Sequence, residues 1–332
     1  MSISAYTVGI LCALTLELLA VRALFDVTYA DKDGIVTPSD DSNHYAPGEI
    51  GKHKVGAARL PDGEYGTNSA THVASNIKQT FPCVKFALLV RIGNGVPSSA
   101  NDIRLGDVVV SRPTSTSPGV IQYDMGKVHR DSVFRQVRYH QPPPRFIMTA
   151  LSNLWSDPYL STAPLQESLE EITARRHEYQ YPGKTLDRLF TNNYPHDPAL
   201  TTYDSCNTRC LQPRANRPDA KTSSHHPRIH YGTVASGNRV VRDARFRDHW
   251  SKQSNILCFE VGAAGIMNTL PCLVIRGICN YSDSHKNKIF QNYAAAAAAA
   301  YAKLLLSTLA SPPCTNNIRV ITEPKDTMRH ST

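Results

Sequence analysis

Two short segments near the C-terminal end constrain the fold more than any other part of the chain. The first, Phe259-Glu260-Val261-Gly262-Ala263-Ala264-Gly265, closes an apolar run on a carboxylate and turns through small residues into a helix. The second, Ile275-Arg276-Gly277-Ile278-Cys279-Asn280-Tyr281-Ser282-Asp283, reads as a buried strand that ends in polar side chains. Apolar strands that deliver polar groups beside a small-residue turn describe an α/β ligand site.

Strand and helix signals alternate along the rest of the chain, which predicts a three-layer α/β fold. Residues 6–13 are mostly apolar, as in a strand buried on both faces, and 14–25 carry apolar residues at helical spacing. A strand over 54–60, a turn from Gly63 to Gly66 and a helix over 67–80 follow. Strands are expected over 84–92, 106–111 and 230–238, and a helix over 243–254. Residues 292–310 contain the unbroken alanines 294–300, with Tyr293, Tyr301, Leu304 and Leu305 recurring on one face, so they predict a helix packed closely on the sheet. Between the last two strand groups lies a stretch rich in Pro, Asn, Asp, Thr and His, helical only around 165–177. The expected organisation is one domain over 1–312 with a loop-rich excursion at about 156–228, and a flexible tail over 313–332.

Composition narrows the class. With 41% hydrophobic and 19% charged residues, the 332-residue chain reads as globular and large enough for a sizeable core. Its net charge of +8 is spread without a basic run or an aromatic-interleaved stripe, which argues against a nucleic-acid partner. The apolar run 6–20 is interrupted by Glu17 and preceded by no basic region, so neither a signal peptide nor a membrane anchor is expected. Cys12, Cys83, Cys258, Cys272 and Cys279 sit in or beside apolar runs and read as small hydrophobes, which fits a reducing, cytoplasmic location. Cys206 and Cys210, with His225, His226 and His230 downstream, offer only two thiols and no second Cys pair. They read as a polar loop, and no metal or cofactor is expected. The adjacent Ser282-Asp283-Ser284-His285 is not read as a hydrolytic triad, because triads are assembled in space.

The two C-terminal segments resemble the nucleoside phosphorylase and nucleosidase superfamily, where they usually read F-E-M-E-A-A-G and R-G-I-C-D-Y-S-D. The resemblance extends through residues 6–17, the Tyr65-Gly66-Thr67 turn, 102–111, 230–238 and 276–288. It implies a central mixed β-sheet, partly closed and wrapped by helices, with a purine nucleoside site at strand ends. In related proteins the domain often heads a larger receptor-like chain. By resemblance, Glu17 positions the attacking water, Val240 and Val241 pack on the purine, and Glu260 contacts sugar or base. Glu17 also reads as an exposed helix residue, and the two valines equally as core. A buried strand-end carboxylate such as Glu260 requires a hydrogen-bond partner.

The departures are specific. Gly262 stands where relatives carry the Glu that grips the ribose hydroxyls, a contact of about 1.5–3 kcal/mol. Val261 replaces a Met under the sugar. Asn280 replaces an Asp that protonates the purine; an amide cannot act as a general acid, a role worth about 10²–10⁴-fold, though it can still hydrogen-bond a ring nitrogen. In the loop Arg91-Ile92-Gly93-Asn94, where the backbone should approach ribose or phosphate, Arg91 and Asn94 replace expected glycines. A one-residue slide brings Arg91 toward the phosphate-binding Arg of phosphorylases; otherwise it fills ligand space. Asp283 is a candidate to compensate for the missing acid. The expected function is binding of a purine nucleoside-type ligand, with N-glycosidic cleavage as an ancestral reaction that is altered or weakened. The alternatives are an enzyme repurposed for another small molecule and a non-catalytic sensor or scaffold. Phosphate is a candidate co-ligand, and self-association is expected because subunits of related proteins often complete one another's pockets.

Overall fold

The computed structural model describes residues 3–29, 35, 37–128, 134–136, 140–157, 159–197, 206–217 and 226–310. The expected tail 313–332 and parts of the excursion, including His225, lie outside the described residues.

Among the described residues, twelve strands form in chain order: β1 (Val8–Cys12), β2 (Val27–Thr28), β3 (Tyr45–Ile50), β4 (His53–Arg59), β5 (Phe86–Gly95), β6 (Val108–Ser111), β7 (Val120–Gln122), β8 (Gly126–Val128), β9 (Phe134–Gln136), β10 (Ile229–Gly237), β11 (Ile256–Val261) and β12 (Cys272–Asn280). All but the separate β8–β9 pair join one sheet, in the order β11-β10-β6-β12-β5-β1-β4-β3-β2 with β7 on β10. The sheet is mixed: β1, β4, β5 and β12 run parallel, whereas β6 opposes β12. An antiparallel pairing of Phe259 with Asn94 and Cys258 with Gly95 brings β11 back onto β5 and partly closes the sheet. The resemblance implied this mixed, partly closed sheet.

Helices α1 (Thr15–Ala23), α2 (Thr67–Thr80), α3 (Arg145–Ser156), α4 (Tyr159–Arg175), α5 (Ala244–Ser254), α6 (Ala263–Ile266) and α7 (Gln291–Thr308) cover it. The central strands β1 and β12 are buried along their whole length, which is why they read as continuous apolar runs rather than alternating ones. On one face α7, α1, α4 and α3 build a core around Leu88, Val90, Leu273 and Ile275; on the other, α2 and α6 cover Leu89, Val109 and Val274.

The alanine run explains how α7 sits so close. A Cβ on Gly277 of β12 would lie 1.7 Å from the Ala294 carbonyl oxygen, so backbone meets backbone there and only small residues fit. Ala294 to Ala300 are all buried.

Several elements escape sequence reading, among them the short strands β2, β7, β8 and β9 as well as β3 and α3. Strand β3 contains Pro47 and Gly48, both poor strand formers, yet it pairs antiparallel with β4 over its whole length. Helix α3 buries Ile147, Ala150, Leu151 and Leu154 at the spacing of one helical face. Helix α4 also begins six residues before the periodicity first shows at Leu165. One cysteine is corrected: Cys83 is disulfide-bonded rather than a free thiol, while Cys12, Cys258, Cys272 and Cys279 are free and buried. Among the described residues, no helix is long and apolar enough to cross a membrane.

Candidate functional site

The site forms where β1 ends beside the middle of β5. There Arg91 of β5 is the register partner of Arg276 on β12, so two guanidinium groups rise side by side from one face of the sheet. Both are almost fully buried, at 2% and 0% exposure. Two buried cations at that spacing are unfavourable without compensating charge. Glu260 at the end of β11 supplies one: its Oε2 accepts from Arg276 Nη2 at 2.5 Å. Arg276 also donates to the carbonyls of Leu89 (2.6 Å) and Ile275 (2.9 Å), and the Ala263 amide donates to Glu260 at 3.1 Å. Glu260 therefore has the partner its burial demands; Arg276 was missed from sequence, although a charge in the middle of an otherwise apolar strand is the signal that could have found it.

Glu17 supplies the second negative charge. Its side chain folds back over the start of α1, where Oε2 accepts from the amides of Ala13 (2.6 Å) and Leu14 (2.9 Å), while Oε1 accepts from Ile92 (2.7 Å). Burial raises its pKa above the ordinary carboxylate range, opposed by the charge of Arg91 and by these three N–H donors. The reading of Glu17 as an exposed helix residue is thereby corrected, since it is 1% exposed.

Arg91 itself is under-satisfied. Nη1 donates to the Val261 carbonyl at 3.3 Å, but Nε and Nη2 are buried and have no hydrogen-bond partner. Burial and the neighbouring Arg276 lower its pKa. The guanidinium lies against Gly262: a Cβ built there would sit 3.2 Å from Arg91 Nη1, 3.2 Å from the Gly66 carbonyl and 3.3 Å from Ala70 Cβ. Gly262 also has φ +107°, in the left-handed region that favours glycine. Any side chain at position 262 would therefore have to displace the Arg91 guanidinium.

Around this wall lies a cleft of about 230 Å³. Glu17, Arg91, Ile92, Gly93, Asn94, Val240 and Val261 all line it, as the sequence reading grouped them. Glu260 reaches it through Arg276, and Gly262 lies behind Arg91. Its volume falls below the roughly 300 Å³ at which small-molecule pockets usually begin, and Arg91 forms part of its wall. Leu14, Tyr65 and Val240 rim the mouth and are exposed. Lys286 and Gln291 complete the lining and were missed from sequence, since nothing in their spacing ties them to the strand ends.

Three sequence candidates stand elsewhere. Val241 is packed with Tyr123, Trp250 and Phe259 and belongs to the core. Asn280 and Asp283 line a separate cavity of about 30 Å³ beside His285. Asn280 spends its amide internally: Nδ2 donates to Asn94 Oδ1 (2.7 Å) and to Cys279 Sγ (3.2 Å), and Oδ1 accepts from the Ser282 amide (3.1 Å). Asp283 accepts from the His285 amide (3.0 Å), and burial raises its pKa despite nearby Arg247.

Among the described residues, no group of three or more His, Cys, Asp or Glu could hold a metal ion. His230 instead hydrogen-bonds Asp107 at 2.9 Å.

Mixed sheet, partial closure and strand-end cleft together define a nucleosidase-type α/β fold. The 5′-methylthioadenosine/S-adenosylhomocysteine nucleosidase of Neisseria meningitidis has a similar structure, with TM-score 0.56, 15% identity, and coverage of 91% of this chain and 99% of that one. The corresponding nucleosidase of Helicobacter pylori gives 0.54 and 14%, covering 92% of this chain and 100% of that one. The futalosine hydrolase of the same organism gives 0.54 and 14%, covering 93% and 100%. By sequence, the chain is 38% identical over 318 residues to a nucleotide-binding leucine-rich repeat (NLR)-like protein of Hyaloscypha variabilis; the match takes in 95% of this chain and spans 30% of that protein's length. No protein-family model matches the chain.

Proposed function

We propose that the cleft beside β5 binds a purine nucleoside-type ligand and that N-glycosidic cleavage there is weak. The observation that carries this reading is the Arg91 guanidinium lodged against Gly262, where the resemblance puts the ribose-gripping carboxylate. The frame that would hold base and sugar is kept, with Val240, Phe259 and Val261 as apolar walls. Glu17 would orient water through the acceptor capacity left on its oxygens. Without a carboxylate for the ribose hydroxyls and without an acid at Asn280, the developing charges of an oxocarbenium-like transition state go largely uncompensated.

The test is release of free base from adenosine, inosine and 5′-methylthioadenosine, with and without phosphate, alongside thermal stabilisation by each. Slow release accompanied by stabilisation is the expected result. Neither release nor stabilisation by any of them would sink the proposal.

A second reading, a non-catalytic sensor domain, is favoured by the relatedness to an NLR-like protein in which the matching region is a minor part of the chain. It predicts ligand-induced stabilisation with no base release at all.

A further inference from the structure

Helix α5 and the excursion enclose a second cavity, of about 570 Å³, that shares no lining residue with the cleft. Its volume lies inside the roughly 300–1,000 Å³ range of small-molecule pockets, which the cleft does not reach. Ser98 and Ser99 beyond β5, Arg214 of the excursion, and Arg247, Ser251 and Lys252 of α5 line it. Arg247 is only 1% exposed, yet it reaches this wall. Its Nε donates to Asp248 Oδ1 at 2.8 Å and its Nη1 to the Tyr281 carbonyl at 3.0 Å. No ion pair joins it to the nearby Asp283. A guanidinium can only donate, and Nη2 carries two of its hydrogens. Among the described residues Nη2 has no hydrogen-bond partner, and unlike Nη2 of Arg91 it is not sealed in the interior. The cavity is its outlet.

The acids of the wall are already engaged. Asp248 accepts from Arg247 and also, through Oδ2, from Asn192 Nδ2 at 2.9 Å. Asp102 accepts from Arg104, Arg214 and Arg217. Lys252 by contrast has no partner among the described residues, and neither do the hydroxyls of Ser99 and Ser251. The cavity therefore offers unmatched donors and a surplus of positive charge, three cations against two carboxylates. The negative end of the α5 dipole lies at its last turn and opposes an anion there, so Arg247 and Lys252 have to outweigh it. We propose that this cavity is a second ligand site, for a small hydroxyl-bearing organic anion. Arg247 Nη2 and Lys252 hold the charged group, where charge-assisted hydrogen bonds are strongest, and the serine hydroxyls meet the rest. Such a site is independent of the nucleoside reading of the cleft.

The test titrates the full chain calorimetrically with ribose 5-phosphate, gluconate and ribose. Saturable binding of ribose 5-phosphate or gluconate is expected, with none of ribose; the tighter of the two identifies the charged group as phosphate or carboxylate. Lys252→Glu reverses one wall charge on an exposed residue and should weaken that binding by about tenfold or more. Arg247→Lys keeps the cation but loses the planar fork, and should weaken it too. Lys286→Met, in the cleft, should leave it unchanged. Affinity that survives Lys252→Glu, ribose that binds as tightly as either anion, or no binding of any of the three would overturn the proposal. Loss of binding in Lys286→Met rather than in Lys252→Glu would place the anion in the cleft and overturn it as well.

Discussion

At the scale of single residues, the site is a set of buried charges that balance one another. Arg91 lies against Gly262, and Glu17 and Glu260 balance Arg91 and Arg276. Gly262→Glu alone should therefore not raise base release. The new side chain would meet Arg91 and would force a non-glycine residue to φ +107°, at a cost of about 1–3 kcal/mol. Urea denaturation should register that loss, and a gain in base release by the single variant would contradict the coupling. Glu260→Ala should cost more, about 3–5 kcal/mol in the same measurement, because it leaves two buried guanidinium groups beside each other. Glu260 was legible as a residue in need of a partner. The pairing of Arg91 with Gly262 was not, because it depends on how β5 and β11 cross.

Among the elements, α7 on β12 sets the tightest tolerance. Gly277→Ala places a methyl group inside the Ala294 carbonyl, and neither backbone can retreat without opening the sheet or lifting the helix. Overpacking of this kind costs about 1–3 kcal/mol and sometimes more; the expected result is the upper end, read from the thermal midpoint of the full chain. A midpoint within a degree of wild type would show that the contact is looser than described. The helix itself was plain from its alanines and its Tyr293, Tyr301, Leu304 and Leu305 stripe. Strand β3 was hidden, since Pro47 and Gly48 argue locally against a strand and only pairing with β4 rescues them.

For the whole molecule, the decisive tether joins the excursion to the sheet. Asp107, fully buried at the entry to β6, accepts from Arg217 Nη1 (2.7 Å) and Nη2 (2.6 Å), His230 (2.9 Å) and the amides of Arg104 (2.8 Å) and Arg228 (3.0 Å). Arg214 binds Asp102 and Tyr281, and Tyr281 in turn donates to Asp187. Hydrogen bonds and ion pairs to Arg217 and His230 hold the Asp107 carboxyl far below its ordinary value, although burial alone would raise it. A depressed folded pKa gives stability that is present above the unfolded carboxylate value of about 3.9 and lost as pH falls below it. Urea midpoints should therefore drop steeply below about pH 4, and Asp107→Asn should flatten that drop while lowering stability at pH 7 by about 3–5 kcal/mol. An unchanged acid limb in Asp107→Asn would place the acid sensitivity elsewhere. Glu17 acts in the opposite sense: its raised pKa means that its contribution declines as pH climbs from about 4.3 toward the raised value.

The sequence by itself determined the alternation of strands and helices and the two strand-end motifs, which follow from local apolar patterning and from residue types whose burial has a fixed cost. The resemblance those motifs carry, not patterning, named Glu17, Arg91, Val240 and Val261 beside the cleft. Tertiary structure alone decided which of the polar residues meet. Glu17 turned inward onto three amides, Asn280 was drawn away from the cleft toward Asn94 and Ser282, and Val241 went into the core. The physical reason is that a hydrogen bond or ion pair spans only about 3 Å, whereas the partners here lie as many as 186 residues apart in the chain. Only the closure of β11 onto β5 and the crossing of β12 bring them into range.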